Sequence, residues 1–336
     1  MRDEQELTIC VDGYQLNCKQ KINQFTLDSM AKPPRSFFLL GSDCDRGYLN
    51  VRRSRFLRPA KLHVERLWRT YAHYADRHFR QDARKHFLQR YWEMYLTVAL
   101  LDAGFKPIKL SDEGPEFFIQ IAGRRFWIEA IAPGAGEGPD KVPEFPPGVA
   151  FHVPTEQVLL RYTHALATKR EKYVSDRAKG IIAPEDGYIV AINSREVPHA
   201  RYGGVIPYAL QAFLPFGRLT ATFDLRNNKI TDTYFAKRES ISKLNKTEIP
   251  TTALLDPQYS GISAILHSAV DAANAPVVLG ADLFVLHNPL ASHRIATETF
   301  TRWRQYVFAN DEIQTIESSP PVERTRRKRR AAHRKR

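Results

Sequence analysis

Apolar positions follow two periods along the chain, and the change from one to the other marks its elements. From Arg55 to about Ala103 apolar and aromatic residues recur at helical spacing among Arg and Ala. Pro59 lies near the start, where proline is tolerated, and Gly104 stands where a helix would end. FKPIKL then reads as a short strand and SDEG as a turn. FFIQI and RRFWIEAIA, rich in aromatic residues and Ile, read as two strands joined by Ala122-Gly123. PGAGEGPDKVPEFPPG is a long Gly/Pro loop whose glycines do not match the phosphate-binding GxxxxGK[ST] pattern. Thr155 is placed to cap a helix over 155–178, and DGYIVAIN follows as a buried strand. From Leu88 to Asn193 the order is therefore helix, three strands, helix, strand.

The flanks are read in the same way. RLTATFDLRNNKITDTYF predicts a hairpin around Asn227-Asn228, GISAILHS and DLFVLHNP predict core strands, and TETFTRWRQYVFAN predicts a last helix. Before Arg55, ELTICVDGYQL and SFFLLG are short strand-like pieces among turn signals. The expected organisation is an N-terminal extension over 1–56, an α/β domain over 57–310 with its core at 88–193, and a basic tail without a fold over 311–336.

Composition narrows the class. A hydrophobic content of 43% with 11% aromatic residues is that of a globular chain. No apolar run reaches the length of a membrane span, and the acidic, polar start MRDEQELTIC is unlike a secretory signal, so a soluble cytoplasmic protein without membrane contact is expected. Cys10, Cys18 and Cys44 are odd in number and have no zinc-like spacing, which predicts reduced thiols. The net charge of +13 is uneven: RTRRKRRAAHRKR at the end carries nine Arg or Lys and no acid, and without it 41 basic residues face 37 acidic ones. Such a block is a solvated tail suited to phosphate contacts or to a localisation address, and nucleic acid is the expected partner. Arg66, Arg69, Arg77, Arg80, Arg84, Lys85 and Arg90 offer further cations that face either a polyanion or solvent.

The candidate chemistry lies in the strand pair. With Ala122-Gly123 as a two-residue loop, Ile121 stands opposite Arg124, and the same register sets Glu116 opposite Glu129 with Cβ atoms roughly 4.5–5.5 Å apart. A loop one residue later leaves them diagonal neighbours, whereas a three-residue loop sends them to opposite faces. Two carboxylates this close in an apolar setting share a proton, recruit cations or bind a metal; the blander alternative is a solvent-facing pair neutralised by Arg124 and Arg125. Glu93, inside the apolar helix segment QRYWEMYLTVALLDAGF, adds a third acid from the preceding helix.

Glu93, Pro115-Glu116 and Glu129-Ala130-Ile131, in the order helix, strand, strand, resemble the PD-(D/E)XK nuclease superfamily, the restriction-endonuclease-like fold. That family opens its second strand with Pro-Asp, carries acid-x-Lys on the third, and in many members adds a Glu from the first helix. GPEF, IEAIAP and HNPLA also resemble motifs shared by a group of bacterial proteins. The resemblance implies an α/β fold with a restriction-endonuclease-like core, elaborated at both ends. It implies Mg²⁺- or Mn²⁺-dependent hydrolysis of nucleic-acid phosphodiesters, DNA first, with Glu93, Glu116 and Glu129 around the metal. Ile131 occupies the position of the family's lysine, so the role passes to the following helix. There Lys169 and Lys172 are the candidates, with Arg161 about 20° from Lys172 around the helix. Two other readings stand beside this one. The first is a catalytically inactive nucleic-acid-binding protein on a nuclease-like fold. The second is a protein whose hairpin acids are structural and whose tail binds RNA or an acidic partner. His287 and His293 lack a third ligand and read as a turn at Asn288-Pro289; neither Ser194 nor Ser260 lies in a GxSxG elbow, and no GxGxxG is present.

Overall fold

A computed structural model describes residues 36–319 except 111–112, 146–147, 149, 151 and 203–204. ELTICVDGYQL, Cys10, Cys18 and the basic block at the C-terminus lie outside the described residues. The protein is a mixed α/β structure in which seven strands form one sheet with helices on both faces.

The helical region of the first half is three separate pieces. After α1 (Arg46–Arg53), α2 spans Arg58–Tyr71 with proline in its first turn, α3 is one turn at Phe79–Asp82, and α4 spans Phe87–Asp102. The chain breaks between α2 and α3 because Trp68 and Tyr71 pack onto Phe79, with ring centroids 5.8 and 4.8 Å away, which folds α3 back on α2. Nearly every position of α4 from Phe87 to Leu100 is buried, since the helix lies between the sheet and the other three helices.

The hairpin forms in the expected register. β1 (Phe117–Ile121) pairs antiparallel with β2 (Arg124–Ile131), Ile121 opposite Arg124 and Phe117 opposite Ile128. Ala122 and Gly123 both have positive φ, 50° and 79°, the two-residue turn whose twist suits a hairpin. FKPIKL, in contrast, does not become a strand. Ile108 alone bridges Phe118, in both hydrogen-bond directions, next to a proline that has no N–H to continue a ladder.

α5 spans Thr155–Ala178, the expected range, although Pro154 rather than Thr155 takes the N-cap position. β3 (Gly187–Asn193) then lies parallel to β2. α6 (Tyr208–Phe213) leads into the exposed β4–β5 ribbon (Phe216–Asp224, Lys229–Lys237) and the short β6–β7 pair (Ser240–Ser242, Glu248–Pro250). The sheet resumes with β8 (Ile262–Ser268), parallel to β3, and β9 (Phe284–His287), antiparallel to β8.

The expected last helix is absent. TETF makes a short 3-10 turn at Thr297–Phe300, and Arg304–Ala309 is β10, parallel to β9. Asn310 and Asp311, with φ of 53° and 61°, form a second turn of positive φ into β11 (Glu312–Ile316). The sheet order is β1-β2-β3-β8-β9-β10-β11, so the domain runs past 310 to Ile316. Its N-terminal limit shifts as well: Phe37, Phe38, Tyr48 and Val51 belong to the core beneath α2 and α4, so residues 36–56 are part of the domain rather than an extension.

The sheet separates two cores. Phe117, Ile119, Phe126, Ile128 and Ala191 face α4, while Phe118, Trp127, Val190 and Ile192 face α5 and α6. The central strands β3 and β8 are buried at every position, which is why they read as unbroken apolar runs rather than alternating ones.

Candidate active site

Glu116 immediately precedes β1, one step beyond the Phe117–Ile128 pair, and Glu129 is the next residue of β2. The hairpin register therefore brings the two acids together, and Glu93 approaches from α4. Glu116 forms a carboxyl–carboxyl hydrogen bond with Glu93, and Glu129 lies close enough to repel its charge. Burial first, then Glu93 and Glu129, push the Glu116 carboxyl well above the ordinary carboxylate range, with Lys172 opposing.

The other two acids are buried and fully engaged. Glu93 accepts a hydrogen bond from the Tyr71 hydroxyl at 3.0 Å on Oε1 and an ion pair from Arg90 at 2.8 Å on Oε2. Arg90 also reaches Asp82 at 3.0 Å, which fixes the guanidinium between α3 and α4. Burial, then the Glu93 charge, raise the Tyr71 phenol well above its usual value, so it stays a donor. Glu129 accepts Lys169 Nζ on Oε1 and Lys172 Nζ on Oε2, both at 2.6 Å, and Lys172 also donates to Gly114 O at 2.8 Å.

Lys169 and Lys172 cross from the helix layer to Glu129, two residues before Ile131. Arg161 does not join them. Its Nε donates to Gly134 O at 2.9 Å, because an offset of eleven positions from Lys172 displaces it about 16 Å along the helix axis. Asp176, one turn beyond Lys172, is buried; burial raises its carboxyl against the pull of Lys172, and its Oδ2 has no hydrogen-bond partner. The buried Tyr188 hydroxyl on β3, facing Glu129, Asp176 and Glu116, likewise has none. The lysines stand three apart in sequence, a pattern that the helix makes visible. Tyr71, Asp176 and Tyr188 carry no local signal of their place here.

Part of the first-half basic set has structural partners instead of facing outward. Besides Arg90, Arg80 Nε donates to Phe37 O at 3.2 Å and Arg84 to Asp43 O at 3.1 Å. His287 Nε2 meets Gln305 Oε1 at 2.8 Å and His293 Nε2 meets Pro184 O at 2.8 Å, both ordinary structural contacts. Asn288 closes the expected turn by accepting the Leu290 N–H at 2.9 Å.

Three carboxylates from helix, strand and strand are the hard oxygen donors that Mg²⁺ or Mn²⁺ takes, and burial beside two other acids, which raises the Glu116 carboxyl, disfavours further negative charge there. As they stand, no three acidic, His or Cys side chains among the described residues form a ready metal-holding group. The two lysines occupy both oxygens of Glu129. The donor chemistry fits a divalent ion once at least one lysine swings aside. No helix among the described residues is long and apolar enough to cross a membrane. No family model, curated protein or solved structure matches the chain.

Proposed function

We propose that this protein is a metal-dependent nuclease that hydrolyses nucleic-acid phosphodiester bonds, DNA first, on a restriction-endonuclease-like core made of α4, β1, β2, α5 and β3. The observation that carries the reading is the pair of α5 lysines on Glu129, each at 2.6 Å. They put a cation beside the second acid although Ile131 stands where a lysine would be. Glu93, Glu116 and Glu129 are the residues to hold Mg²⁺ or Mn²⁺, which when bound supplies charge for the scissile phosphate and lowers the pKa of water. Tyr71 and Arg90 fix the Glu93 carboxylate. Lys169 or Lys172, released from Glu129, is placed to neutralise phosphate charge that grows in the transition state.

The reading is tested by incubating the purified protein with plasmid, linear duplex, single-stranded DNA and RNA, in Mg²⁺, Mn²⁺ or EDTA. Cleavage that needs the metal and disappears in Glu129→Gln is the expected result. The full pairing of Glu129 by lysines favours a second reading, a nucleic-acid-binding protein without catalysis. Binding without cleavage in either metal would establish that second reading in place of the first.

A further inference from the structure

Beside the N-terminal half of α5 lies a cavity of about 380 Å³, walled by the Gly-rich loop after β2, by Arg161 and His164 of α5, and by the segment from Lys243 to Tyr259. Arg161 stands about 16 Å along the helix axis from Lys172, which separates its guanidinium from the lysine pair on Glu129. The volume is that of a small-molecule site.

Arg161 is the unusual group in this wall. It is half-buried, and among the described residues its hydrogen bond runs from Nε to Gly134 O. No carboxylate among the described residues lies within ion-pair distance, and burial alone lowers its pKa, with no neighbouring negative charge acting against it. A partly desolvated guanidinium without a counter-charge is unfavourable unless a ligand supplies one.

The backbone is shaped around it. Gly136 has φ +86°, and a Cβ there would come within 2.8 Å of an Arg161 terminal nitrogen. The glycines of PGAGEG thus let the loop close over the guanidinium. Of the wall's three acids, none forms an ion pair with Arg161 among the described residues: Asp140 Oδ1 accepts the Leu244 N–H at 2.8 Å and Asp256 Oδ1 accepts the Gln258 N–H at 2.9 Å, both in turns, and Glu137 is exposed. Lys243 adds a second cation, and Thr252, which makes no capping hydrogen bond with its side chain, adds a hydroxyl.

We infer that this cavity binds a small organic molecule through a phosphate or carboxylate group, which the Arg161 guanidinium receives in a forked pair of charge-assisted hydrogen bonds, with Lys243 and Thr252 at its edge. The inference is independent of the chemistry at Glu129.

The test titrates the full chain at constant ionic strength with inorganic phosphate, pyrophosphate and succinate, reading the melting temperature and the heat of binding. Wild type should respond saturably to at least one anion, and comparing the phosphates with succinate identifies the acid group. Arg161→Gln should weaken binding by at least about tenfold, the effect of one charge-assisted hydrogen bond. Lys243→Ala, in the half-buried turn between β6 and β7, should weaken it less and remains informative if the Arg161 variant fails to fold. The basic C-terminal block is common to all variants, so its own anion contacts cancel. Equal responses in wild type and both variants, or no saturable response to any of the three anions, would overturn the inference.

Discussion

Replacing Glu129 by Gln asks which force governs the site. If repulsion between Glu116 and Glu129 dominates, removing a charge stabilises the fold. The ion pairs argue for the opposite sign. Glu129 is 2% exposed and both its oxygens hold lysines, Lys169 with a side chain 15% exposed and Lys172 with one 34% exposed. An amide offers one acceptor oxygen and turns an N–H toward the second ammonium, so one lysine loses its partner outright. Breaking a fully buried pair costs about 3–5 kcal/mol. Both lysines retain some access to water and relax toward it, which discounts the figure to about 2–3 kcal/mol. In a domain of this size that lowers the melting temperature by roughly 3–8 °C. Calorimetric melts at pH 7, in low salt and in 0.5 M salt, measure it, and the loss should persist in salt because the acid is shielded from it. A variant combining Glu129→Leu, Lys169→Met and Lys172→Met should recover much of the stability, since all three charges leave together. An unchanged or higher melting temperature in Glu129→Gln would show that the lysines are not seated on this carboxylate, and the proposed role of α5 would go with them.

Glu116 supplies a pH prediction. Its carboxyl pKa is raised in the folded state, so the native protein holds a proton that the unfolded chain has lost, and stability falls as pH rises from the unfolded value near 4.5 toward the folded one. Glu116→Gln should leave the melting temperature near pH 4 unchanged and raise it at pH 7–8; parallel curves for the two proteins would refute the assignment. Tyr71→Phe removes the hydroxyl that donates to Glu93 and should cost about 1–3 kcal/mol in chemical denaturation, whereas no change would mean that Arg90 and Glu116 hold the acid without it. Deleting residues 324–336 should flatten the salt dependence of nucleic-acid binding by about 0.9 in log–log slope for each phosphate that the block neutralises; an unchanged slope would assign the block to another task.

What was legible in the sequence is what local physics decides. The hairpin could be aligned from Ala122-Gly123 alone, because a two-residue turn with two positive φ values fixes every pairing behind it. α5 and β3 carried their own limits. The misreadings fall where distant contacts decide. RWRQYVFAN contains enough aromatic and apolar residues to fit either period, and only its place beside β9, with Asn310-Asp311 turning the chain, makes it a strand. Phe37 and Phe38 read as part of an extension until α2 and α4 close over them. Around the helix, Arg161 and Lys172 differ by only about 20°, yet the rise along the axis gives them different partners, Gly134 O and Glu129. Tyr71 meets Glu93 across a break between helices that no periodicity announces.

The distribution of partners also orders the three acids. Arg90 and Tyr71 satisfy Glu93, and Lys169 and Lys172 satisfy Glu129, each carboxylate using both oxygens. Glu116 has no cation within ion-pair distance among the described residues; burial and two other acids raise its carboxyl, with Lys172 acting against them. Charging Glu116 costs desolvation first and repulsion from the other two acids second, while exposing Glu93 or Glu129 requires breaking ion pairs. Lys172, which touches both Glu129 and the backbone at Gly114 just before Glu116, ties the two hairpin acids to α5.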